Sequence, residues 1–407
     1  MYESAYSSIK NEVANSVKGA LLKLGYPIDA VDGTIGQSQK FGDISCSIPL
    51  RLAKGSNKSA VAIASEMAAS MDRPDCIDRI TTENGFVNLH LDRKKFAGLV
   101  LGSDILSEHK DGKIIIEYPS VNPNKPWHIG HLRNALLGDS LSNIFSSLGY
   151  AVEREDYIDD LGLQMAETLW WYTKGERGRI EKKFDHWLGE EYVKANDNMD
   201  EGGKEETSRI LSLMSQDGTY ESKELKNIVS ECIKAQRKTA SDYMIFQDIM
   251  IWESDIVRER LLDKSLELLK RQSFVKTPKS GDYAECTVID LTEIKDLPND
   301  LKGLKEDMKV LVRSNGTATY LAKDIAFHMW KLGMLENTFK FSVFMKQENG
   351  KQLYTTGTSG KQMEFSKADT AINIIDARQS HPQSVLRAVF KAMGGGYASS
   401  IRHLAYG

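Results

Sequence analysis

Several things are scarce in this sequence, and each scarcity removes a class of protein. Only four of its 407 residues are cysteine (Cys46, Cys76, Cys232 and Cys286), with no C-x-x-C spacing. That excludes a disulfide framework or a cysteine zinc site and points to a reducing, cytoplasmic compartment. No apolar run approaches the roughly 20 residues that a membrane span needs, and the stretch Met1 to Ala5 lacks the basic flank and apolar core of a signal peptide. No membrane partner is expected. Neither sign of charge dominates: 53 basic and 57 acidic side chains leave −4. A basic field all round is therefore excluded, while a local basic face is not. Phosphate loops of the G-x-G-x-x-G or Walker type are missing, and Gly394-Gly395-Gly396 reads as a turn. Proline is also rare, nine in all, yet Pro119, Pro123 and Pro126 fall together.

That cluster marks the informative stretch. Ile114 to Tyr118 is apolar and β-branched, the pattern of a buried parallel strand. Pro119 to Pro126 can continue neither strand nor helix. From about Trp127 a helix is predicted to Leu148, with Leu137, Leu141, Ile144 and Leu148 on one face and Gly149 as its stop. Its N-terminus carries His128 and His131, three apart and projecting together, where free N–H groups and the helix dipole favour negative charge. Imidazole donors there suit oxygens whose charge grows during nucleotidyl transfer. Lys125 stands just upstream, and Gly130 leaves room for a base or ribose to approach the backbone.

His128-Ile129-Gly130-His131 resembles the HIGH signature of class I aminoacyl-tRNA synthetases, and the longer string from Asn122 to Asn134 resembles its arginyl-tRNA synthetase version, with Val121-Asn122-Pro123-Asn124 resembling the archaeal type. Val121 stands where many relatives carry proline, which leaves the loop's rigidity less certain. The resemblance implies that Ser120, Asn122 and His131 meet the backbone end of arginine, with Glu117 orienting its ammonium. It places His128, Gly130, His131 and Lys125 along ATP, with His128, His131 and Lys125 catalytic. Mg²⁺ would arrive on the ATP, and no protein metal site is expected. Arg313 to Asp324 resembles the family's arginine pocket. There Tyr320 and Asp324, four apart on a helix, share a face. The ring suits the substrate's stem and the carboxylate its guanidinium. Gln379, in the turn after a strand at Thr370 to Asp376, gains a substrate contact by the same resemblance.

The predicted fold is α/β in two domains. Residues 1–106 read as a small α/β module, with helices at Tyr6 to Leu24 (Ile9, Val13, Val17, Leu21 and Leu24 on one face) and Ala60 to Met71. Strands are predicted at Cys46 to Leu50 and Gly85 to Leu91. Its turns at Phe41 to Ile44 and Asn84 to Asn88 resemble those of the family's N-terminal additional, tRNA-contacting domain. Ser107 to Gly112 is a charged connector. Residues 107–407 are predicted to be a class I Rossmann-like nucleotide-binding domain, a doubly wound parallel sheet with a charged helical insertion at about 170–247. Tyr157 to Gln164 resembles the family's turn after the second strand. The second half opens at Asp248 to Ser254, with a helix from Asp255 to Arg271 and strands near Ala284 to Asp290 and Lys309 to Arg313.

The function implied is that of an arginine–tRNA ligase: ATP-dependent activation of L-arginine to arginyl-adenylate and transfer to tRNA(Arg), by a monomer. A non-catalytic RNA-binding relative, or another HIGH-superfamily nucleotidyl transferase, would be favoured by loss of a histidine or of the Tyr/Asp pair; all are present. The family's second signature, a Lys-Met-Ser-Lys-Ser-like loop, has no counterpart, since Met363-Glu364-Phe365-Ser366-Lys367 precedes the strand at Thr370. The expectation is a portion of a longer synthetase, lacking that loop and the helical anticodon-binding domain, with impaired or absent activity alone.

Overall fold

The computed structural model describes residues 5–407 apart from 30, 32, 39, 103–108, 176–179, 303–306 and 395. Contacts divide the chain into two units, Met1–Glu108 and His109–Gly407. The predicted boundary at 106–107, and Ser107 and Glu108 of the connector, lie outside the described residues.

The first unit runs α1 (Ala5–Leu24), β1 (Ile35–Gln37), β2 (Ile44–Cys46), α2 (Ile48–Ala53), α3 (Ala60–Ser70), β3 (Ile77–Glu83), β4 (Phe86–Leu91) and α4 (Arg93–Gly102). Its antiparallel sheet has the order β1-β2-β4-β3. Ile9, Val13, Val17 and Leu21 of α1 are fully buried, and Ser59 caps α3 by accepting the Ala62 N–H. The strand expected at Cys46 to Leu50 is not one: β2 ends at Cys46 and α2 begins at Ile48. Pro49 sits in the first turn of that helix, where its missing N–H costs nothing.

The second unit opens with β5 (Lys113–Glu117), α5 (Ile129–Ser147) and β6 (Ala151–Ile158). Four helices follow: α6 (Leu163–Thr173), α7 (Phe184–Asp197), α8 (Glu201–Met214) and α9 (Tyr220–Asp242). Then come β7 (Ile249–Trp252), α10 (Glu253–Arg258), α11 (Leu261–Leu269), β8 (Val275–Lys276), β9 (Thr287–Asp290), β10 (Met308–Val312) and α12 (Tyr320–Lys331). The chain continues with β11 (Lys340–Lys346), β12 (Gln352–Gly357), β13 (Thr370–Asp376), α13 (Ser380–Met393), α14 (Tyr397–Ser400) and β14 (Ile401–Tyr406). The main sheet has the order β11-β12-β7-β6-β5-β13-β14, parallel throughout except at β11. Helices on both faces explain why strands such as β7 are buried at every residue. The order reverses between β5 and β13, and ligands of such sheets bind beyond the carboxyl ends of the strands at that switch.

Two expectations give way here. The helix after the Pro-rich loop starts at Ile129, with His128 as its N-cap, and packs through Asn134, Ala135, Gly138 and Ser142. Leu137 and Ile144, predicted to be packed, are 36% and 55% exposed. The approach to the sheet demands small side chains, because a Cβ at Gly138 would collide with the Tyr118 ring. The helix predicted from Asp255 to Arg271 is broken at Arg260, which is left-handed at φ 55°. The antiparallel hairpin β11–β12 was not anticipated. Met363 to Lys367 follows it, with Phe365 against Phe341 and the Ser366 N–H donating to Glu153 at 3.0 Å.

Candidate active site

β5 delivers Glu117 at its carboxyl end, and the chain then turns through residues 118–127. Ser120 takes φ 51°, which costs a residue with a Cβ roughly 1 kcal/mol. Two bonds hold it there: its N–H donates to Asp156 Oδ1 at 3.0 Å and its hydroxyl to Glu117 Oε1 at 3.1 Å. Asn122 Nδ2 donates to Gln164 Oε1 at 3.0 Å, tying the loop to the turn after β6.

At the start of α5 the two histidines cap the helix reciprocally. His128 Nδ1 accepts from the N–H groups of Gly130 at 3.0 Å and His131 at 3.4 Å, and His131 Nδ1 accepts from the His128 N–H at 3.2 Å. The rings stack with centroids 3.6 Å apart. With both Nδ1 atoms accepting, each ring when neutral carries its proton on Nε2, which leaves two further N–H donors. Burial, then the charges of His128 and Lys125, push the His131 pKa down to about 4, so that ring is neutral near pH 7. His128 already occupies two of the helix's first N–H groups, which are therefore not free for phosphate. Gly130 makes room first for the His128 ring, since a Cβ there would lie 2.9 Å from its Cε1.

Across the switch point, α12 lays Tyr320, Asp324, His328 and Lys331 over the strand ends. Glu117 pairs in register with Glu155 on β6 and with Asn373 on β13. Lys331 Nζ is fully buried, ion-paired to Glu117 and 3.5 Å from Glu155 Oε2. His328 Nε2 lies 2.7 Å from Asn373 Nδ2, which also donates to Gln383 Oε1 at 3.0 Å. Burial opposes a charge on Glu117, but the Lys331 ammonium outweighs it and holds the pKa below the ordinary value. Burial pushes Glu155 well above.

Beside Tyr320 and Asp324 lie two carboxylates absent from the sequence reading of the pocket, Asp159 and Glu253. Tyr157 Oη donates to Glu253 Oε2 at 2.9 Å, and Lys323 pairs with the same carboxylate. A Cβ at Gly162 would lie 3.8 Å from Asp159 Oδ1 and 4.0 Å from Tyr320 Oη, so carboxylate and phenol line one space. Burial, then the neighbouring Glu253, raise Asp159 to about 8; burial, then Glu117, raise Asp324 to about 7. These are carboxylates short of positive charge. Asp159 stood within the turn already singled out; Glu253 had only its place after an apolar strand to mark it.

Gln379 is exposed at the N-cap of α13, at the carboxyl end of β13, and among the described residues its side chain bonds to none of the others. Cavities of about 470 and 510 Å³ open at the opposite, amino ends of the strands around Lys113. No histidine or unpaired carboxylate pair converges there, so the site is assigned by its chemistry rather than by cavity size. Among the described residues no helix is long and apolar enough to cross a membrane, and no three His, Cys, Asp or Glu side chains are grouped to hold a metal ion.

Residues 99–339 match the family described as tRNA synthetases class I (R), catalytic domain, and residues 8–91 match the arginyl tRNA synthetase N terminal domain. The arginine–tRNA ligase of Deinococcus radiodurans is 35% identical over 392 residues, 95% of this chain and 62% of that protein. The arginine–tRNA ligase of Pyrococcus furiosus is 34% identical over 430 residues, 98% of this chain and 66% of that protein. Bacteria and archaea are thus represented at similar identity, which does not single out the archaeal type. The solved Thermus thermophilus arginyl-tRNA synthetase superposes with a TM-score of 0.72 at 33% identity, over 98% of this chain and 65% of that one. This chain therefore spans a little under two thirds of the length of these relatives. The chain belongs to the class I arginyl-tRNA synthetase family.

Proposed function

We propose that this chain carries the arginine and ATP sites of a cytoplasmic, monomeric arginine–tRNA ligase, which activates L-arginine with ATP and passes it to tRNA(Arg). The observation that carries the reading is the acidic space lined by Tyr320, Asp324, Asp159 and Glu253, set across the sheet's switch point from the stacked pair His128 and His131. Lys323 is taken up by Glu253, and a guanidinium would supply the further positive charge that Asp324 and Asp159 call for. Asp324 offers it a bidentate partner and Tyr320 a ring face for the stem. Gln379, exposed at the carboxyl end of β13, would add a substrate contact, and Ser120, Asn122 and Glu117 would take the substrate's backbone end, Glu117 meeting the ammonium.

An oxygen of the arginine carboxylate then attacks the α-phosphorus of ATP. The new O–P bond forms as the bond to the bridging oxygen breaks, and pyrophosphate leaves. The Nε2–H groups of His128 and His131, with Lys125, donate to phosphate oxygens whose charge grows in that step, while Gly130 lets the nucleotide approach. Magnesium would come on the ATP phosphates; it adds charge neutralisation there, and no protein residue is assigned to it. In the second step a hydroxyl of the tRNA terminal adenosine attacks the activated carbonyl and AMP departs.

Calorimetric titration of the 407-residue chain with arginine, lysine and citrulline, followed by ATP–pyrophosphate exchange with and without tRNA, tests this. Arginine alone should bind. Absence of arginine binding, or equal binding of lysine, overturns the reading.

A further inference from the structure

Side chains from several elements hold the loop from Tyr118 to Trp127, and α9 of the inserted helices contributes two adjacent ones, Gln236 and Arg237. Gln236 of α9 is 1% exposed, and its amide donates to two loop carbonyls, Lys125 O at 2.8 Å and Asn122 O at 3.2 Å. One amide group thereby fixes the spacing of the segment between them. Arg237 is 5% exposed, with Nη2 2.9 Å from Asp156 Oδ2 and its guanidinium 5.5 Å from the Trp127 ring. The other oxygen of Asp156 is the one that accepts the Ser120 N–H. Just beyond α9, Gln247 Nε2 donates to Tyr118 O at 2.5 Å. From the other side α7 passes so close at Gly189 that a Cβ there would lie 3.1 Å from Pro126 Cδ.

We infer that Gln236 and Arg237 are positioning residues for the loop that presents Ser120, Asn122 and Lys125, and that the inserted bundle is therefore part of the frame of the active site. The inference rests on the arginine and ATP site proposed above. A bundle that only had to pack would do so with apolar side chains, as α9 does through Leu225, Ile228, Val229 and Ile233. Gln236 instead spends a buried amide on the loop, and Arg237 acts one step removed, through Asp156. Three groups bear on that carboxylate: the Arg237 guanidinium and the Ser120 N–H favour its charge, and Glu117 opposes it. Burial dominates and already raises its pKa to about 6. Without Arg237 the carboxylate would take up a proton and become a weaker acceptor for Ser120.

The test is calorimetric titration with arginyl-sulfamoyl adenosine, a non-hydrolysable mimic of the adenylate, alongside the thermal midpoint of each variant. Gln236→Met and Arg237→Met keep side-chain length but remove the donors, and each should weaken binding about tenfold or more. Arg237→Lys keeps the charge beside Asp156 and should stay within about threefold of the parent chain. Gly189→Ala should weaken binding severalfold, because its Cβ would press on Pro126 Cδ at 3.1 Å and displace the loop. Full affinity in both Met variants overturns the inference. So does an equal loss in Arg237→Lys and Arg237→Met together with lowered midpoints, which marks a merely structural role. Should the Met variants fail to fold, Gly189→Ala decides, and unchanged affinity there overturns it. A parent chain that does not bind the mimic overturns the proposed function, and this inference with it.

Discussion

Lys331 places its ammonium, with no exposure to solvent, against the carboxylate of Glu117 at the sheet's switch point. Burial works against the Lys331 charge, but Glu117 and Glu155 together raise its pKa. Replacing this lysine by methionine would strand two buried acids without a countercharge. Breaking a buried pair from one side typically costs about 3–5 kcal/mol. Lys331→Met should therefore lower the thermal midpoint by several degrees and weaken arginine binding, because Glu117 would lose the ammonium that chiefly favours its charge. Thermal unfolding and calorimetry check both effects.

Asp324→Asn separates the two substrates. The variant keeps the shape of the pocket and loses the charge that pairs a guanidinium. Truncating one side of such a contact costs about 2–5 kcal/mol, at least about thirtyfold in affinity. Calorimetry should show arginine binding reduced by that factor and ATP binding nearly intact. Unchanged arginine affinity would remove Asp324 from the pocket.

The pocket's acids give a pH dependence whose sign is fixed. Asp324 rests at about 7 and Asp159 at about 8, both raised, burial being the main cause. Below those values they are protonated and cannot pair a guanidinium, so arginine affinity should fall as pH drops from about 8 to about 6. Binding near neutrality should release protons, measurable by titration in buffers of different ionisation enthalpy. In the free protein the raised folded-state values mean that the native chain binds more protons than the unfolded one. Stability from these groups is therefore lost as pH rises from the ordinary carboxylate range, about 4, through about 7 and 8. Arginine should offset that loss, and thermal midpoints with and without it provide the comparison.

Much of this was legible in residues that chemistry holds in fixed local patterns. The strand before the prolines follows from its apolar pattern, whereas the histidine pair and Tyr320 with Asp324 stood out through the family resemblance rather than through spacing alone. Contacts across the sheet were not legible. Nothing in the sequence near Lys331 says that it reaches Glu117, more than two hundred residues away, or that Arg237 backs Asp156. The packed face of α5 misled because close approach favours small side chains, so Gly138 and Ala135 face the sheet while Leu137 faces out. The hairpin does carry a local signal: Asn349-Gly350, with Gly350 at φ 84°, is a strong turn dipeptide between its strands.

The final prediction separates the two jobs of His128. Its Nδ1 caps α5, and its Nε2–H is free to donate to phosphate. Asparagine is among the best N-caps but has no donor that reaches as far, whereas alanine provides neither group. His128→Ala should therefore lose about 1 kcal/mol of stability, while His128→Asn should keep it. Both should slow adenylate formation alike, by roughly a hundred- to a thousandfold, since a donor aimed at charge developing in the transition state is worth about 2.7–4 kcal/mol. His131→Ala should slow it to a similar extent, because it removes the second donor and the acceptor for the His128 N–H. ATP affinity should change far less in all three, since these donors act mainly on charge absent from the ground state. Pyrophosphate exchange and ATP titration give the two numbers for each variant. Equal losses in rate and in ATP affinity would reduce the pair to a binding role, and a rate kept by His128→Asn would assign the effect to the cap alone.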